Sequence, residues 1–156
     1  MIDLALRAEI DELYADYVDV LDNGAIERWP DLFTDACTYK IISRENVERS
    51  LPVALMWCDG KAMLNDRVHA YAKLVTYTPR SLRHVVSSLR IRVEGDVFRV
   101  GANYAVFETR IDEASRVFNV GRYQDVVVRD GDRLKYREKL CIYDTVIIDN
   151  AVVAPI

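Results

Sequence analysis

The stretch Phe118–Asp144, FNVGRYQDVVVRDGDRLKYREKLCIYD, constrains the fold more than any other part of the chain. Two runs rich in Val, Ile, Tyr and Leu flank Asp130-Gly131, a dipeptide whose residues tolerate the positive φ that a tight hairpin turn demands. A long antiparallel hairpin near the C-terminus follows. The beginning of the chain has a different period. From Asp3 to Leu21 the apolar residues Leu6, Ile10, Leu13, Tyr14, Tyr17 and Leu21 recur every three or four positions, the mark of one buried helical face. Asn23-Gly24 ends this helix, because Gly just beyond the last periodic residue supplies the left-handed C-terminal cap.

Ile26, Trp29, Leu32 and Phe33 predict a short second helix over Ile26–Phe33, with Pro30 in its first turn, where a missing N–H is harmless. Thr38–Ile42 reads as a first strand and Arg44–Asp59, interrupted by Pro52, as a loop. A third helix is predicted from Lys61 to Val75, with Met63, Leu64, Val68, Tyr71, Ala72 and Val75 on its apolar side and a break at Thr76–Pro79. Strands over Leu82–Val93, Phe98–Glu108 and Val117–Val128 precede the last one, with turns at Glu94-Gly95-Asp96 and Asp112–Ser115. Gly101 and Gly121 read as bulges or bends of a curved sheet. Helices first and strands last predict one α+β domain over residues 1–156, a cone of curved antiparallel sheet closed on one side by about three helices.

With 51% apolar and 29% charged residues, a chain of 156 residues can bury a sizeable core without disulfides or a structural metal. The net charge of −4 disfavours nucleic acid as a partner. The N-terminus carries acidic residues among its apolar ones, unlike a secretory signal, and no run approaches the ~20 apolar residues that span a bilayer. Cys37, Cys58 and Cys141 stand far apart and are odd in number, which suits buried thiols in a reducing compartment. The expectation is a cytoplasmic protein that binds neither nucleic acid nor membrane.

The residues that could carry chemistry are few. A mononuclear iron site wants two histidines and a carboxylate, and Asp66-x-x-His69 supplies half of such a pattern. A Rieske cluster needs two Cys and two His ligands, yet neither His69 nor His84 lies within two residues of a cysteine, so the chain is expected to hold no metal or other cofactor. Tyr14, Asp16, Tyr17, Asp35, Tyr39, His69 and His84 are the residue types of an acid–base pocket, with Tyr14, Asp16, His69 and His84 as its core; they are equally the types of an ordinary core and rim. In the last strand, Lys135, Arg137 and Lys139 alternate with Leu134, Tyr136, Leu140 and Ile142, Glu138 being the exception on the apolar side. The basic face is either simply solvated or a docking stripe for an acidic partner, which Arg90 and Arg92 would widen.

Together, IERWPDLFTDACTYKI (Ile26–Ile41), MLNDRV (Met63–Val68), the Arg83-His84 pair opening a long strand, GRYQDVVV (Gly121–Val128) and VVAPI (Val152–Ile156) resemble the small, or β, subunit of Rieske non-haem iron aromatic-ring-hydroxylating oxygenases. The segment RENVERSLPVALMWCDGKAML looks closest to the branch acting on salicylate-like or terephthalate-like acids. The resemblance implies a cone of the nuclear-transport-factor (SnoaL-like) type and a hexamer of three large and three small subunits. It places the Rieske cluster and the mononuclear iron in the large (α) subunit and leaves the small one architectural, with no catalytic residue to carry over. Trp29, Arg90, Arg92, Lys135, Arg137 and Lys139 are then the expected partner contacts. Two other readings stay open: a self-sufficient isomerase or dehydratase using His84 or Asp16 as base, and a homodimer that binds a small molecule.

Overall fold

A computed structural model of the chain describes residues 2–74, 79–148 and 152–156, so the expected helix end at Val75 and break at Thr76–Thr78 lie outside the described residues. Helix α1 spans Leu4–Asp22 and buries Ile10, Leu13, Tyr14, Tyr17 and Val20. The Asp3 side chain caps it by accepting from the Ala5 N–H at 3.3 Å, and Gly24, at φ +74°, carries the chain away in the left-handed conformation.

The second helical element, Ile26–Leu32, is a 3₁₀ helix. Ile26, Trp29 and Leu32 are spaced by three, the interval at which side chains eclipse on a 3₁₀ helix. Pro30 sits in its second half, not its first turn, and its carbonyl accepts from the Phe33 N–H. Strand β1 starts there, five residues before the expected Thr38, and runs Phe33–Ser43.

The expected loop at 44–59 is only partly a loop. Ser43 accepts from the Asn46 N–H at 3.1 Å and caps a short helix, α2, at Arg44–Glu48. Met56–Asp59 forms strand β2, whose alternation buries Met56 and Cys58. Helix α3 is Lys61–Leu74; strands β3 to β6 are Arg80–Glu94, Val97–Arg110, Arg116–Asp130 and Arg133–Tyr143. The structure thus has three α-helices and one 3₁₀ helix among the described residues.

The six strands form one curved, open sheet in the order β2-β1-β6-β5-β4-β3. All neighbours pair antiparallel except β1 and β6, which run parallel and correct the expectation of a wholly antiparallel sheet. A parallel pair needs a long crossover, supplied here by everything between β2 and β6. The last hairpin pairs Asp130 with Arg133, so its two-residue turn is Gly131-Asp132, one position later than expected, with Gly131 at φ +62°. Gly121 is where two backbones come closest: a Cβ there would lie 2.0 Å from the Ile142 carbonyl oxygen.

Bulges decide which side chains enter the core. Val126 pairs with Glu138 but Val127 pairs with Tyr136, leaving Arg137 as an extra residue in β6. Alternation reverses at such a bulge. Lys139 and Cys141 therefore follow Leu134 and Tyr136 onto the inner face, where α1 and the 3₁₀ helix cover the sheet. In β3 a shift between Ser87 and Arg90, with Ser88 at φ +58°, turns Ile91 inward and Arg90 and Arg92 outward.

Candidate functional site

The polar centre of the domain is an ion pair inside the core. Lys139 Nζ donates to Asp125 Oδ2 at 2.8 Å, and both side chains are 0% exposed. The same carboxylate oxygen accepts from the Tyr14 hydroxyl. Four tyrosine rings surround the ammonium: Tyr123 at 3.8 Å from Nζ to centroid, Tyr17 and Tyr136 at 4.3 Å, and Tyr14 at 4.7 Å. Each ring turns its negative face to a cation that is shut from bulk solvent. Burial raises the Asp125 carboxyl, and Lys139 works against that rise. Burial also lifts the hydroxyls of Tyr14, Tyr17, Tyr39, Tyr123 and Tyr136 well above the usual phenol range, so at neutral pH they stay protonated and do not act as bases.

Next to this cage the segment at 152–156 fills the core. Ile156 is 0% exposed, and its carbonyl oxygen accepts from the Tyr17 hydroxyl at 2.7 Å, the Tyr39 hydroxyl at 3.1 Å and the Cys141 thiol at 3.1 Å. Burial pushes the Cys141 thiol up to about 12, which leaves it protonated and inert as a nucleophile.

The second polar cluster ties α1 to β3. Asp22 accepts from the His84 backbone N–H at 2.9 Å and from ring Nδ1 at 2.6 Å. A groove of about 430 Å³, lined among others by Tyr14, Val18, Asp22, Arg83, His84 and Leu89, lies between the two elements. The His84 ring is nevertheless fully covered, and Nε2 has no hydrogen-bond partner among the described residues. The pair clamps helix to strand; a base for substrate would need an open ring nitrogen.

The expected acid–base set is thus divided. Tyr14 and His84 share the groove wall, but the Tyr14 hydroxyl is spent on Asp125. Asp16 lines a different groove with Arg28 and Lys135, while His69 and Asp35 are exposed. The partner-contact set is also corrected. Trp29 is 0% exposed and packs edge-on against Phe33 and Tyr39 at 5.5 and 5.0 Å between centroids, so it is a core residue. Lys139 leaves the basic stripe because the Arg137 bulge turned it inward. Lys135 stays outside and pairs with Asp130 at 2.7 Å, Arg137 is half-buried, and Arg90 and Arg92 are exposed.

Asp22 and Asp125 were not among the expected site residues. Asp125 had a visible signal: it occupies the inward position between Tyr123 and Val127, two apolar neighbours on the same face. Among the described residues, no group of three or more His, Cys, Asp and Glu side chains could hold a metal ion.

The curved open sheet backed by α1 defines a SnoaL-like domain, and residues 3–139 match that family. The small subunit of anthranilate 1,2-dioxygenase from Burkholderia cepacia is 38% identical over 155 residues, 99% of this chain and 96% of that protein. A β subunit of the terminal oxygenase component of terephthalate 1,2-dioxygenase from Comamonas is 27% identical, covering 91% and 93%. A solved β subunit ascribed to an aromatic-ring-hydroxylating dioxygenase of Novosphingobium aromaticivorans superposes with a TM-score of 0.86 at 40% identity, over 97% of this chain and 98% of that one. The chain belongs to the small, or β, subunits of aromatic-ring-hydroxylating dioxygenases.

Proposed function

We propose that this chain is the non-catalytic, structural subunit of a multicomponent aromatic-ring-hydroxylating oxygenase. It organises large subunits that hold the Rieske cluster and the mononuclear iron and that hydroxylate an aromatic acid with O₂ and electrons from NAD(P)H. Three copies of each chain, in the cytoplasm, make the assembly. The observation that carries this reading is end-to-end similarity to the anthranilate enzyme's small subunit, at 38% over 99% of this chain. An aromatic carboxylic acid as substrate is supported by the names of the relatives, which act on anthranilate and terephthalate.

The interior supports the same division of labour. Several of its titratable groups are hydrogen-bonded and shut from solvent: Lys139 to Asp125, Tyr14 to Asp125, Tyr17 and Tyr39 to the Ile156 carbonyl. A self-sufficient isomerase or dehydratase would need His84 or Asp16 open beside a substrate, and the two lie in different grooves. The test is activity with and without the partner. The purified chain is expected to convert no aromatic acid, and restoring it to a preparation of large subunits should restore both oligomer and hydroxylation. Turnover by the purified chain that His84→Ala abolishes would overturn the proposal.

A further inference from the structure

The outer face of the sheet carries a charge arrangement that the isolated domain does not satisfy. Arg92 on β3 stands directly opposite Arg99 on β4, and Arg90 shares their face two residues along. Like charges directly opposite on a sheet face destabilise it. Arg99 is held by Glu94 at 2.5 Å, whereas Arg90 and Arg92 have no ion-pair partner among the described residues. The chain as a whole has net charge −4, so this is a local reversal of sign.

These arginines form one wall of a groove of about 380 Å³ that crosses β3 to β6. Gly101 is paired with Arg90 across the ladder and forms the floor, a place where backbone lies bare. Gln124 and Leu140, in the same cross-strand row, continue the floor, and Glu138 stands at the far side. The groove is therefore cationic at one end, uncharged along the floor of Gly101, Gln124 and Leu140, and acidic at the other.

From this we infer that the groove receives an extended acidic segment of the large subunit, with its carboxylates on Arg90 and Arg92 and an apolar side chain over Gly101 and Leu140. The inference rests on the proposed function and adds the location and chemistry of the contact. Guanidinium forks take carboxylates bidentately, which fixes the segment's position. Glu138 repels an acid at the wrong end and so sets its direction. The site differs from the expected stripe on β6: Lys135 is already neutralised by Asp130, and Lys139 lies in the core.

The test isolates the holoenzyme through a tag on this chain and compares three forms of the chain. In Arg90→Glu/Arg92→Glu the large subunit is expected to be retained at least about tenfold less, with a weaker dependence on salt. Gly101→Val adds no charge; an added Cβ there meets nothing closer than the Tyr123 carbonyl oxygen at 3.9 Å, so the domain should fold while the groove floor is filled. It is expected to reduce retention too, which a simple anion site would not show. Lys135→Glu is the control and should retain the partner. Normal retention in either the charge-reversed or the Gly101→Val form overturns the inference. If the native chain itself brings down no iron–sulfur subunit, the proposed function fails first and the inference with it.

Discussion

Removing either half of the Lys139–Asp125 pair should destabilise the domain, and removing Lys139 should make the remaining stability fall as pH rises. Both side chains are fully buried at 2.8 Å separation, so each single variant leaves an uncompensated charge among tyrosine rings. Breaking a buried pair this way costs about 3–5 kcal/mol, a large share of the roughly 5–15 kcal/mol that holds a domain together. At about 2–4 °C per kcal/mol for a chain of this size, the melting temperature should fall by roughly 6–20 °C.

In Lys139→Met the Asp125 carboxyl, already raised by burial, loses the cation that opposed the rise. The folded state then holds a proton that the unfolded chain sheds above about pH 4. Stability therefore falls as pH rises, by about 1.4 kcal/mol per unit until the folded carboxyl also ionises. Asp125→Asn leaves the Lys139 ammonium buried without its carboxylate partner. The double variant Asp125→Asn/Lys139→Met keeps an acceptor for the Tyr14 hydroxyl and should recover most of either loss. Urea unfolding of the full chain at about pH 5, 7 and 9 measures all three. A Lys139→Met stability that does not fall as pH rises, or a loss under about 1 kcal/mol in either single variant, would refute the reasoning.

Other variants test the packing directly. Gly121→Ala places a Cβ 2.0 Å from the Ile142 carbonyl oxygen and must part β5 from β6, for an expected loss of about 1–3 kcal/mol or more in the same unfolding assay; an unchanged midpoint would contradict the close approach. Trp29→Ala should lose about 3–5 kcal/mol as a core truncation, and a fully stable variant that fails only in assembly would return Trp29 to the surface. The thiols of Cys37, Cys58 and Cys141 are buried, with Cys141 raised to about 12, so a thiol reagent at neutral pH should label the unfolded chain and barely touch the folded one. Rapid labelling of folded Cys141 would show that the core is open.

The elements legible in the sequence are those with a sustained period. The three-and-four spacing from Leu6 to Leu21 matched α1, and the alternating runs from Leu82 onward matched β3 to β6 to within a few residues. Strand β2 has only Met56–Asp59, too short to show a period after Pro52. The parallel pairing of β1 with β6 depends on how distant segments meet, which local patterns do not encode. The costliest omission was one residue long. A bulge has no side-chain signature, so Lys135, Arg137 and Lys139 read as a continuous basic face, and the extra residue at Arg137 moved Lys139 from solvent to the centre of the core. Trp29 failed for a different reason: a large aromatic suits a core and an interface equally well until its neighbours are known. Asp22 could not be found from sequence, because its partner His84 lies far along the chain and nothing in the spacing joins them.

The most direct test of the central claim is the native mass and iron–sulfur content of the complex isolated through a tag on this chain. The expected result is a brown assembly containing equal copies of this chain and of a larger iron–sulfur subunit, with all the iron in the larger one. A colourless species made of this chain alone, from cells that hold the large subunit, would contradict it.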